Sequence, residues 1–127
     1  MAEHPNAALI RRMYAAFSSP NYHNTLREIL HEDVVWHLPG EHPASGDHVG
    51  REAAFAAMNH FDGSVQLEVH DVIANDEHAV ALLRAQGSRQ GRRYESLEMD
   101  VFHIRDGRVT EFWSFSEDQR KTDEYWS

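Results

Sequence analysis

From Val65 to Ser116 the chain reads as four consecutive long strands joined only by tight turns, and that meander limits the folds open to it. The strands cover about 65–74, 78–88, 93–105 and 108–116, with turns supplied by Asn75-Asp76, Gln90-Gly91 and Asp106-Gly107. Asp106-Gly107, set between Ile104-Arg105 and Arg108-Val109, is the strongest of these signals. Both of its residues tolerate the positive φ that a two-residue hairpin turn demands. Strands of this length exceed the usual size of roughly five or six residues. Long antiparallel strands twist and coil, so the sheet is expected to wrap around whatever covers its concave face.

The first sixty residues offer that cover. Leu9, Ile10, Met13, Tyr14 and Phe17 recur at helical spacing, which marks one apolar face of an α-helix. Pro5 suits its first turn, with His4 or Asn6 as cap, and Ser18-Ser19-Pro20-Asn21 ends it. A shorter helix follows through Leu26, Ile29 and Leu30. Val34 to Leu38 reads as a short strand stopped by Pro39-Gly40, residues 40–50 as a loop, and Arg51 to Phe61 as a third helix through Phe55, Met58 and Phe61. Helices first and a meander last give an α+β architecture. Three helices on a strongly curved mixed or antiparallel sheet would form a cone around one apolar pocket. No repeat or composition shift divides residues 1–127, so a single domain is expected.

Composition narrows the function classes. The chain is 41% hydrophobic with six Phe, four Tyr and three Trp, enough for a real core. It has no cysteine, which removes disulfides, thiolate metal sites and a cysteine nucleophile. A formal charge of −9 disfavours a nucleic-acid partner. No apolar run is long enough to span a membrane. Met1 to Ala8 lacks the basic start and apolar stretch of a signal peptide, so a cytoplasmic protein is expected. The ten histidines make pH sensitivity an issue, since an imidazole titrates near neutrality. His42, Asp47 and His48 share a loop, but no HExxH or compact zinc spacing occurs, and no metal is expected. Phosphate-loop, nucleophile-elbow and dinucleotide fingerprints are missing too, so cofactor-free chemistry is the simpler expectation.

The order of elements, together with several local stretches, resembles the nuclear transport factor 2-like superfamily. Within it, the chain looks most like the SnoaL-like polyketide cyclases and their ketosteroid isomerase relatives. The stretches that carry the likeness are Leu9 to Phe17, His31 to Gly40, Gly50 to Ala53, Val101 to Glu111 and Phe112 to Phe115. The resemblance implies a pocket between the helices and the concave sheet face, opening near the loop after the first strand. It also implies a homodimer through the outer sheet face. It is weak for activity, because one fold hosts many chemistries.

Asp100 is the leading candidate for chemistry. It alternates with Phe102 and Ile104 in an apolar strand, so the three share one face. Charged groups are rarely buried without a partner or a purpose. The resemblance implies an inward acid at this point of the strand, which in the isomerases donates a hydrogen bond to a developing oxyanion. The alternative is an exposed sheet position or an ion pair with an arginine such as Arg84. Where the isomerases place a general-base Asp before the strand-ending Pro, this chain has Leu38. Their oxyanion-hole Tyr aligns best with Met13, and Tyr14 lies one position along, rotated by about 100°.

His37 is a second acid/base candidate, since imidazole transfers protons near neutral pH. Alternation turns it outward if Leu38 faces the pocket, unless a bulge beside Pro39 reverses the order. Trp36, Leu38, Phe55, Met58, Phe61, Phe102, Phe112 and Ser114, with Tyr14, are expected to shape the pocket. Its occupant would be a small apolar molecule, either turned over by acid/base chemistry on a carbonyl or held without turnover. His103, Trp113 and Phe115 alternate outward, where the aromatics suit a dimer interface or cover by the tail from Asp118 to Trp126.

Overall fold

In the computed structural model, which describes residues 3–127, Pro5 opens helix α1 (Pro5–Ala16) and the His4 ring caps it by accepting the Asn6 N–H. Helix α2 (Tyr22–Ile29) runs directly into strand β1 (Leu30–Leu38), which begins four residues earlier than expected. The stretch expected to be all loop contains a short strand, β2 (Gly46–Val49). It forms because β1 would otherwise be an open edge, and β2 pairs antiparallel along it from Val35↔Val49 to Leu38↔Gly46. Helix α3 (Arg51–Met58) is shorter than expected, leaving Phe61 in the turn that follows.

Strands β3 (Val65–Ala74), β4 (His78–Arg89), β5 (Arg92–Arg105) and β6 (Arg108–Ser116) lie within a residue of the expected limits. Gln90-Gly91 and Asp106-Gly107 both adopt left-handed backbone, at φ 52° and 77° and φ 52° and 76°, as the tight hairpin turn requires. A fourth helix, α4 (Gln119–Trp126), was not expected. Asp118 caps it by accepting the Lys121 N–H.

The six strands form one mixed sheet in the order β2-β1-β6-β5-β4-β3. Every neighbouring pair is antiparallel except β1 and β6, which run parallel. Helices α1 to α3 cover the concave face, giving the cone-shaped α+β fold that the pattern implied. The core lies between them and is built from Ile10, Leu26, Ile29, Leu30, Val34, Phe102 and Val109. One row crosses the sheet from Ala79 through Phe102 and Phe112 to Trp36. The Phe102 and Phe112 rings stack at 5.5 Å, and Phe112 and Trp36 at 5.3 Å. Rings on adjacent strands in register face each other, so this row stiffens the floor on which the site rests.

Candidate active site

A cavity of about 660 Å³ lies between α1, the β1 end, α4 and the concave faces of β4 to β6. Asp100 lines it. Alternation along β5 does turn this carboxyl inward with Phe102, and its neighbours in register are Ala81 on β4 and Ser114 on β6. The ion-pair alternative is absent, because Arg84 stands opposite Leu97 on the exposed side. The Asp100 carboxyl instead accepts the Tyr14 hydroxyl, and Ser114 stands beside it in register on β6. Ser114 in turn accepts the Trp36 indole N–H at 3.0 Å. An indole–hydroxyl pair and a phenol–carboxyl pair from four elements thus stand side by side in the cavity.

Burial pushes the Asp100 carboxyl above its ordinary range, against the opposing pull of the nearby Tyr14 and Ser114 hydroxyls. The Tyr14 phenol is raised well above 10, first by burial and then by the neighbouring Asp100 charge. It therefore stays protonated and serves as a donor. The single helical step that separates Tyr14 from Met13 does not take it away from the cavity. Both residues line it, and the longer Tyr side chain spans to β5.

Trp36, Leu38, Met58, Phe61, Phe112 and Ser114 also line the cavity. Two pocket expectations need correction, and one acid/base candidate is removed. Phe55 and Phe102 are core residues packed behind the lining. Phe55 projects from α3 with the Arg27 guanidinium over its ring, and Phe102 is sealed between Tyr14 and Phe112. His37 is on the opposite face of the sheet, because β1 keeps strict alternation from Trp36 to Leu38 and no bulge intervenes at Pro39. Its two ring nitrogens meet Asp47 at 2.7 Å and Glu111 at 2.5 Å, and the ring stacks on Trp113 at 4.9 Å.

The tail does not supply the alternative cover for the outer aromatics. Trp126 lines the cavity and Tyr125 packs on Tyr94 within the concave face, so α4 closes the pocket instead of covering Trp113. Phe115 and Met99 remain exposed on the outer face. Pro39-Gly40 anchors α4: the Gln119 amide donates to the Pro39 carbonyl at 3.3 Å, and the Glu41 N–H donates to Asp123 at 3.0 Å.

A second acid went unnoticed in the sequence. Glu98 lines the same cavity two residues before Asp100, and accepts the Tyr94 hydroxyl at 2.5 Å. Burial, opposed by the Tyr94 bond and reinforced by the Asp100 and Glu117 charges, pushes its carboxyl up to about 7. The alternation that singled out Asp100 applies equally to Glu98, so the signal was there. The lining carries no lysine or arginine. Among the described residues, no group of three or more histidines and acids is placed to hold a metal ion. No helix of the described chain is long and apolar enough to cross a membrane.

Solved structures resemble this arrangement along its whole length. Bal32a, from a soil-derived mobile gene cassette, is 33% identical over 97% of each chain, with a TM-score of 0.89. IdmH of Streptomyces antibioticus, provisionally named a polyketide cyclase, is 25% identical over 91% of this chain and 93% of its own, with a TM-score of 0.73. A nuclear transport factor 2-like protein from Burkholderia xenovorans is 21% identical over 100% and 99% of the two chains, and its TM-score of 0.84 supports the fold alone. No curated protein matches the sequence. The SnoaL-like domain profile matches residues 10–112, a span that contains Tyr14, Trp36, Glu98 and Asp100, and the chain therefore belongs to the SnoaL-like domain family.

Proposed function

We propose that this protein transfers protons on a neutral, apolar carbonyl compound, as polyketide cyclisation or an enol isomerisation requires, using its own side chains. Asp100 is the acid/base group. The observation that carries this reading is an inward carboxyl in an aromatic-lined cavity, held by Tyr14 and without a cation beside it. A carboxyl in such a site keeps its proton closer to neutral pH, where it both gives and takes protons efficiently. Two lining acids and no lining lysine or arginine disfavour a substrate that carries a carboxylate or phosphate, because like charges repel in a low-dielectric pocket.

The test uses 2-tetralone, a cyclic ketone fused to a benzene ring with acidic protons beside its carbonyl, in deuterated buffer. Proton NMR follows the exchange of its C1 protons. The protein is expected to accelerate exchange over buffer, and Asp100→Ala is expected to remove about 10²-fold or more of that acceleration. Equal rates for the two proteins would reject Asp100 as the acid/base group.

Leu38 favours a second reading, since an apolar side chain stands where the isomerases keep their base. In that reading the pocket only holds its ligand. It predicts saturable binding of 2-tetralone, seen as line broadening, with exchange no faster than in buffer.

A further inference from the structure

We propose that Glu98 is the second proton-transfer group of the pocket and takes the part that Leu38 cannot. The inference rests on the reading of the site as a place of proton transfer. Glu98 and Asp100 are successive inward residues of β5, so their Cα atoms stand roughly 7 Å apart on one face. Both side chains enter the same cavity. A carbonyl oxygen directed at the Asp100–Tyr14 end leaves the adjacent carbon directed at Glu98.

The surroundings of Glu98 are those of a working acid, not of a structural ion pair. Its Oε2 accepts the Tyr94 hydroxyl, and among the described residues no partner occupies Oε1. Tyr94 is itself fixed by the Thr122 hydroxyl of α4 at 2.7 Å, which reaches Ser116 of β6 at 2.7 Å. The carboxyl is therefore held from one side and free on the other. The titratable groups around it are Asp100 and Tyr94 on β5, Glu117 after β6, Lys121 on α4 and Tyr14 on α1, while β4 presents Leu83. Lys121, the only cation among them, directs its ammonium to the Glu95 carbonyl at 2.5 Å and makes no ion pair with Glu98.

The step balances within the pocket. The ionised Glu98 oxygen takes a proton from the carbon beside the carbonyl, breaking C–H and forming O–H. The C–H electron pair becomes the enolate double bond, and the carbonyl oxygen gains negative charge that the Tyr14 hydroxyl, protonated throughout this range, stabilises by donating its hydrogen. Return of the proton from Glu98 to the same or a neighbouring carbon completes exchange or isomerisation, and no other reagent is consumed. The substrate class is accordingly a neutral, enolisable ketone.

The experiment measures 2-tetralone exchange from pH 5.5 to 8.5 for the unmodified protein, Glu98→Gln and Glu98→Asp, with carboxyl-carbon NMR to follow Glu98. The unmodified protein should show a rate that climbs with the ionisation of Glu98, with a midpoint near the value of about 7. Glu98→Gln keeps an acceptor for Tyr94 but cannot take a proton, and should lose about 10²-fold or more of the exchange rate together with the rise. Glu98→Asp should keep a titrating rise at a lower rate, which separates chemistry from folding. Exchange by Glu98→Gln at the unmodified rate and with the same pH profile overturns the role of Glu98 and leaves that of Asp100 standing. Exchange by the unmodified protein no faster than buffer, with the ketone visibly bound, overturns both.

Discussion

The Tyr14 hydroxyl donates to Oδ2 of Asp100, joining the first helix to the fifth strand across 86 positions of sequence. The bond does two things at once. It anchors α1 over the sheet, and it supplies the carboxylate with a donor that favours its charged form. The Tyr14→Phe variant keeps the ring and its edge contact with Phe102 but removes the donor. The Asp100 carboxyl-carbon titration should then move to higher pH, and an unmoved midpoint would mean that the phenol does not support the carboxylate.

Glu98 also makes stability depend on pH, with a definite sign. An unfolded glutamate titrates near 4.5, whereas the folded carboxyl titrates at about 7. Between those values the folded state binds more protons than the unfolded state, so stability falls as pH rises through that window. Glu98→Gln removes the titration. Urea unfolding should show the variant gaining on the unmodified protein between pH 4.5 and pH 8, by up to about 3 kcal/mol. A constant difference across that range would contradict the burial argument.

His37 acts on the other face. Its bonds to Glu111 and then to Asp47, outweighing its partial burial, raise the imidazole above its ordinary value of 6.5. A raised histidine contributes stability that is complete below 6.5 and is lost as pH climbs through the folded value. The stability gap between the unmodified protein and His37→Gln should therefore be larger at pH 5.5 than at pH 9. The site is partly solvated, so the change should stay near or below about 1 kcal/mol. Pocket chemistry should be unaffected, since His37 faces away from it.

Gly40 couples the loop after β1 to the closing helix. Its φ of 98° is left-handed backbone, and an added Cβ would collide with the Asp123 carboxyl and the Gln119 amide of α4. Gly40→Ala should destabilise the protein by more than about 1 kcal/mol. Amide hydrogen exchange should rise in 119–126 before it rises in the sheet, and uniform change across the chain would argue against this coupling.

Much of the site was legible in the sequence because a strand assigns faces by simple alternation. That rule sorts Asp100 from His103, Phe112 and Ser114 from Trp113, and Leu38 from His37, while the family resemblance supplies which of the two faces is inward. Glu98, two positions before Asp100, is equally readable by the same alternation. Phe55 and Phe102 were assigned to the pocket because inward direction does not distinguish a cavity wall from the core behind it. That depends on which neighbour stands in front.

The helices, the meander and its turns follow from local pattern: helical spacing in α1, alternation in β3 to β6, and left-handed backbone at Asp106-Gly107. The parallel pairing of β1 with β6, the recruitment of β2 to the open edge, the closure of the pocket by α4 and the reach of Tyr14 to Asp100 were decided only by tertiary structure. Each of these joins residues distant in sequence, and its free energy arises from surfaces that exist only once both partners have folded. A pattern within one segment has no means of encoding that.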